Sequence, residues 1–230
     1  MVKKIAVIQA RLSSSRLPGK VLKDLCGKTL LERVVERVRE SNLLDEIWLA
    51  TSTEKTDDIL EIVSKQLNIK LYRGSLNNVL ERFCKVAIKS NADIIVRVTA
   101  DNPLTEPTFI DQGINEMLNS DVDYINFEDV PYGSGVEIIK KESLLLSNKL
   151  TNTDEDIEHV TLFIKKNSHK FKIKTLIPEN KFRRPDIRVT IDTLDDYVKM
   201  FKVYHLLSNS PSSCKNYLEK AIDLFDRGEV

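Results

Sequence analysis

Lys4-Ile5-Ala6-Val7-Ile8-Gln9 is a short apolar run near the amino end, and Ala10-Arg11-Leu12-Ser13-Ser14-Ser15-Arg16-Leu17-Pro18-Gly19-Lys20 follows it directly. A strand apolar along its whole length belongs inside a parallel sheet, covered on both faces. The next segment changes character at once, with three cations, three serines and a Pro-Gly pair. Ligands of parallel α/β sheets gather outside the carboxyl ends of the strands, which is where this loop falls. From Arg11 to Lys28 five basic residues accompany one acid, Asp24, in a chain whose 35 Lys and Arg balance 35 Asp and Glu. Small residues let the backbone approach an anion and the cations neutralise it, so the loop suits a polyphosphate.

Outward from this loop, strand-like and helix-like runs alternate. Leu30, Leu31, Val34, Val35 and Val38 recur at helical spacing, and Thr29 with Glu32 has the spacing of a capping box. Glu46–Thr51, Ile69–Tyr72 and Asp93–Thr99 read as strands. Asp57–Leu67, with Ile59, Leu60, Val63 and Leu67 inward, and the run holding Val79, Leu80, Phe83, Val86 and Ala87 read as helices. This alternation predicts right-handed βαβ units and a mostly parallel sheet. The second half is less regular. Asp123–Phe127, Val136–Lys140, Phe171–Ile177 and Ile187–Thr193 are expected as strands, and Glu155–Lys166, Leu194–Leu207 and Lys215–Arg227 as helices. No Pro/Gly/Ser linker separates the halves, so residues 1–230 are expected to form a single α/β domain.

Composition excludes several classes. With 41% hydrophobic and 30% charged residues the chain is neither disordered nor fibrous. A formal net charge of zero argues against nucleic-acid binding. Cys26, Cys84 and Cys214 are odd in number and lack C-x-x-C spacing, against both a disulfide scaffold and a thiolate zinc site. No apolar stretch is long enough to span a membrane and no secretory signal is apparent, so a cytoplasmic protein is expected.

Two phosphate motifs are excluded as well. Gly27-Lys28-Thr29 resembles the tail of a P-loop, but Leu22 stands where the earlier glycine is required, and no G-x-G-x-x-G follows the first strand. Two carboxylates at strand ends complete a different site: Asp101, in Thr99-Ala100-Asp101-Asn102-Pro103, and Asp192, in Thr190-Ile191-Asp192-Thr193. Facing a basic loop, they are the parts of a Mg²⁺–triphosphate site. Asp195 and Asp196 read instead as first-turn acids of a helix. Asp121-Val122-Asp123 has the D-x-D spelling of metal-dependent glycosyltransferases, but its place between a helix and a strand reads as two surface acids.

The run Ile8-Gln9-Ala10-Arg11-x-x-Ser14-Ser15-Arg16-Leu17-Pro18-Gly19-Lys20 resembles the signature of cytidylyltransferases that activate acidic sugars as CMP conjugates. Arg73-Gly74-Ser75 with Val79-Leu80-x-Arg82, Arg97-x-Thr99-x-Asp101-x-Pro103, Glu158-His159-Val160-Thr161, and Asp192-Thr193 with Asp196 point to the spore coat polysaccharide biosynthesis branch. The resemblance implies the nucleotide-diphospho-sugar transferase fold, a Rossmann-like three-layer sandwich, and a homodimer. It implies Mg²⁺-dependent transfer of CMP from CTP to an acidic sugar of the 3-deoxy-ulosonic or nonulosonic type, releasing pyrophosphate, for surface polysaccharide synthesis. By the same resemblance Lys20, Arg16 and Asp101 would be catalytic. Ala10, Arg11, Ser14, Ser15, Arg73, Gly74 and Thr99 would join Arg16 and Lys20 around the nucleotide, and Asp101 and Asp192 would hold the metal. Glu137, Glu158, His159 and Arg188 would face the sugar, Arg188 as partner for its carboxylate. Several relatives carry an aspartate where Gly135 stands, which leaves the acceptor's identity open. A sugar-phosphate nucleotidylyltransferase, a metal-dependent glycosyltransferase or a non-catalytic nucleotide-binding module are the alternatives.

Overall fold

The alternation read from the sequence forms one seven-stranded sheet. The computed structural model describes residues 1–208 and 216–230; Cys214 and Lys215, the expected start of the last helix, lie outside them. In chain order the elements are β1 (Lys4–Gln9), α1 (Leu30–Arg39), β2 (Glu46–Ser52), α2 (Ile59–Gln66), β3 (Lys70–Gly74), α3 (Val79–Ser90), β4 (Ile94–Thr99) and α4 (Pro107–Asn119). Then follow β5 (Tyr124–Phe127), β6 (Glu137–Lys140), α5 (Lys141–Leu150), α6 (Asp154–Glu158), α7 (Leu162–Lys166), β7 (Ile173–Leu176), α8 (Leu194–Ser208) and α9 (Tyr217–Asp226).

The strand order is β3-β2-β1-β4-β6-β5-β7, and every pairing is parallel except the two made by β6. The chain leaves β1 toward β2 and β3, then returns to place β4 on the other flank of β1. That reversal opens a crevice between β1 and β4 at their carboxyl ends, the place where such sheets bind ligands. Side chains of β1 alternate between two cores. Ala6 and Ile8 pack with Leu30, Leu31 and Val34 of α1, while Ile5 and Val7 pack with Leu80 and Phe83 of α3. This makes the three layers of a helix–sheet–helix sandwich.

Local signals hold where they depend on near neighbours. Thr29 Oγ1 accepts the Glu32 N–H at 3.2 Å and the Glu32 carboxylate accepts the Thr29 N–H at 2.5 Å, a closed capping box. Three expectations fail. Ile59 is 41% exposed, whereas Leu60 beside it is fully buried as expected. The run 187–193 is extended but is not a strand of the sheet: it crosses the strand ends, where its main chain bonds to those of Tyr132 and Asp101. The helix expected over 155–166 is two short helices, α6 and α7. It breaks at His159–Thr161, where buried Val160 has φ 47, a left-handed conformation that a β-branched side chain adopts only under strain. No helix among the described residues is long and apolar enough to cross a membrane.

Candidate active site

The loop after β1 folds back on itself: Gly19 N–H donates to the Leu12 carbonyl at 3.0 Å, and Gly19 takes φ 67, a conformation that favours glycine. Asp57, fully buried, anchors the loop from outside. Its carboxylate accepts the Leu12 N–H at 2.8 Å and the Thr51 hydroxyl at 3.1 Å, together with the Ser52 hydroxyl. The closed loop aims Lys20 inward from a short 3-10 turn at Lys20–Leu22.

Lys20 Nζ donates to Asp101 Oδ2 at 2.7 Å, to the Ile191 carbonyl at 2.8 Å and to Asp192 Oδ1 at 3.1 Å. Two acids 91 positions apart thus meet on one ammonium. Their meeting follows from the crossing segment: Ile191 N–H donates at 2.9 Å to the carbonyl of Asp101, in the turn just past β4. The approach is tight, since a Cβ on Gly133 (φ 102) would lie 2.8 Å from the Thr190 backbone nitrogen. Asp192 also receives Arg16 at 2.9 Å and Arg188 at 2.6 Å. Burial pushes its carboxyl up, but Lys20, Arg16 and Arg188 outweigh burial and hold it below the ordinary carboxylate value. Asp196 fixes the corner: its Oδ2 accepts the N–H groups of Asp192 and Thr193 at 3.0 and 2.9 Å. It is therefore a capping residue of α8, as its first-turn place suggests.

Two cavities open beside this cluster. The first, of about 220 Å³, is lined by the β1 loop, Val79, Arg82, Glu158 and His159. The second, of about 510 Å³, is lined by Arg97, Asn126, Tyr132, Gly135, Glu137 and Lys165 among others. Arg16, Thr99, Asp101, His159 and Asp192 border both, so the two acids and Arg16 stand at the seam, with Lys20 reaching them from the first cavity.

The other site residues named from the sequence divide. Ala10, Arg11, Ser14 and Ser15 line the first cavity, where Arg11 pairs with Glu158 at 3.3 Å. Glu137 lines the second cavity but is saturated by protein: Arg97 and Lys165 form ion pairs with it, Tyr124 donates its hydroxyl, and Thr161 donates at 3.0 Å. Burial pushes this carboxyl up, yet Arg97, Lys165 and Tyr124 bring it down to about 2. Three residues lie outside both linings. Arg73 is turned back onto the Ser52 and Glu54 carbonyls and Asp58. Gly74 abuts the stem of Arg82. Arg188 is engaged by Asp192 and Asp196 and stacks over the Tyr132 ring, its guanidinium carbon 4.9 Å from the centroid. Sequence reading missed Asp57 and Lys165. Asp57 shows no pattern marking it as buried, and Lys165 sits in a helical run like any surface lysine.

No group of three or more His, Cys, Asp or Glu side chains able to hold a metal occurs among the described residues. The pair Asp101 and Asp192 nevertheless fits Mg²⁺ chemically: both donors are hard oxygens, and Mg²⁺ commonly takes one or two carboxylates and completes its shell with water and phosphate. Lys20 now provides the positive charge between them.

Known proteins resemble this chain in sequence and fold. The family profile described as cytidylyltransferase matches residues 5–224. The chain is 36% identical over 210 residues to the spore coat polysaccharide biosynthesis protein SpsF of Bacillus subtilis, covering 89% of this chain and 88% of that protein. It is 34% identical over 113 residues to a 3-deoxy-manno-octulosonate cytidylyltransferase of Geobacter metallireducens, covering 49% of this chain and 44% of that one. A solved cytidylyltransferase structure from Leptospira borgpetersenii superposes with a TM-score of 0.91 at 26% identity, covering 100% of this chain and 96% of that one. The chain belongs to the cytidylyltransferase family, and its sandwich is the nucleotidyltransferase fold.

Proposed function

We propose that the protein transfers CMP from CTP to a hydroxyl of an acidic sugar, releasing pyrophosphate, with CTP in the smaller cavity and the sugar in the larger. The observation that carries this reading is Lys20 joining Asp101 and Asp192 at the seam of the two cavities. A reaction at the α-phosphate needs its charge handled where donor and acceptor meet, and the seam is that place.

The protein's work is alignment and charge. Arg11 and the loop amides receive the triphosphate, and Arg16 and Lys20 neutralise charge as it gathers on the departing pyrophosphate. Mg²⁺ held by Asp101 and Asp192 would supply Lewis-acid stabilisation of phosphate oxygens. The acceptor hydroxyl approaches from the larger cavity, opposite the leaving group. His159, bordering both cavities, and Thr99 guide it toward the seam. Arg97 and Lys165, held on Glu137, give the acceptor cavity two cations that suit an acidic sugar. The role of Glu137 is thus to hold those cations, and Arg188 braces Asp192 instead of meeting the sugar.

A glycosyltransferase reading loses its support, because Asp121 and Asp123 stand before β5, tied to Lys140, Lys172 and Ser143. The sugar-nucleotide assignment draws on the 3-deoxy-manno-octulosonate cytidylyltransferase relative and the spore coat polysaccharide relative. A single cytoplasmic domain over 1–230, acting as a homodimer, completes the proposal. The test is to incubate the protein with Mg²⁺, each of the four NTPs and a panel of 3-deoxy-ulosonic and nonulosonic acids, following pyrophosphate. Release that requires both CTP and an acidic acceptor is expected. Release with a sugar phosphate, or with none of the acids, would overturn the reading.

A further inference from the structure

Arg82, on α3, has no part in the reaction as described so far. It is 2% exposed and forms part of the wall of the smaller cavity. Its Nε and Nη1 are withdrawn from water and have no hydrogen-bond partner. Its stem passes over the end of β3, where a Cβ on Gly74 would come within 3.0 Å of Arg82 Cγ. The passage is open because β3 ends in a residue without a side chain. Burial, and then the neighbouring charge of Arg11, bring its pKa down to about 10 against the pull of Asp57, so it remains a cation at neutral pH.

A buried guanidinium with unmet N–H groups lowers the stability of the protein that carries it. The guanidinium is otherwise buried, so an oxygen acceptor would reach it from the cavity that Arg82 helps to line. Arg11, although paired with Glu158 at 3.3 Å, borders the same cavity and its charge still acts against that of Arg82, a repulsion that an entering anion would relieve. A neutral carbonyl would leave that repulsion in place, whereas a phosphate oxygen relieves it.

We propose that Arg82 is a nucleotide-binding residue whose guanidinium takes an anionic phosphate oxygen of CTP beside Arg11. The inference rests on the nucleotidyl-transfer reading above. It makes an unusual demand: removing the residue should weaken ligand binding without weakening the unliganded fold.

The experiment compares wild type, Arg82→Met and Arg82→Lys. Thermal unfolding is measured without ligand, and calorimetric affinity is measured for CTP with Mg²⁺ and for inorganic tripolyphosphate. Arg82→Met is expected to unfold at no lower temperature than wild type, yet to bind both CTP and tripolyphosphate at least about tenfold more weakly, the scale of one charged hydrogen bond. Arg82→Lys should recover part of that loss. Three results overturn the proposal: unchanged CTP affinity in Arg82→Met; loss of stability and affinity together without recovery in Arg82→Lys; or weakened CTP with unchanged tripolyphosphate, which would assign Arg82 to the base or ribose. Wild type that binds no CTP would overturn the transfer reading itself, and the role of Arg82 with it.

Discussion

The two cavities are built in different ways. The smaller one takes much of its wall from one contiguous stretch, residues 9–21, closed by its own backbone bond between Gly19 and Leu12. The larger one draws on distant segments: Arg16, Arg97 to Asn102, Asn126 to Glu137, His159 to Lys165, and Thr190 with Asp192. A site made of one loop keeps its chemistry in sequence order. A site made of many segments depends on long-range pairings such as Glu137 with Lys165. Substitutions should therefore act sharply and selectively in the first, and more diffusely in the second.

The largest effect should come from the seam. Lys20→Ala and Asp101→Ala are each expected to lower turnover by at least roughly 10²-fold, the scale of losing one preorganised charge contact. Steady-state pyrophosphate release checks this, and a folded Asp101→Ala protein at wild-type rate would remove the metal assignment.

In the larger cavity, Glu137→Gln frees Arg97 and Lys165 from their shared carboxylate. It should raise the KM for the sugar on the order of tenfold, the scale of one charged hydrogen bond, while leaving the KM for CTP within about twofold. Equal changes in both constants would erase the proposed division between the cavities.

Acid sensitivity offers a subtler probe. The Glu137 carboxyl is held at about 2 in the folded protein against an ordinary value of 4.5. A depressed folded value adds stability that is complete above the ordinary value and fades as pH falls toward the folded one. Urea unfolding should thus weaken between pH 4.5 and 2, and Glu137→Gln should make that limb shallower. Asp196, also held at about 2, leaves part of the slope in place. The smallest effect is expected at the D-x-D pair: Asp121→Ala should leave turnover within about twofold of wild type, because its partners Lys140 and Lys172 are surface side chains remote from the seam.

The same contrast explains what could be read in advance. The buried β1, the cationic loop and the Thr29–Glu32 cap each depend on residues a few positions apart, and local spacing carries them. The break at Val160 does not, since the periodicity of 155–166 runs through it; long-range bonds from Thr161 and Lys165 to Glu137 accompany it. The extended run 187–193 has the composition of a strand, but it crosses strand ends instead of joining an edge. Asp57 illustrates the hardest case. It follows Lys55 and Thr56 and precedes Asp58 in a stretch that reads as solvated, yet it is fully buried under the loop it anchors.

The crossing segment has a consequence for biogenesis. Asp192 is held by Lys20 from the amino-terminal loop and by Asp196 at the start of α8, so the proposed cation pair cannot form until this late segment has joined the early one. The early βαβ units carry the cationic loop and Asp101, but not Asp192, the second acid that Lys20 holds.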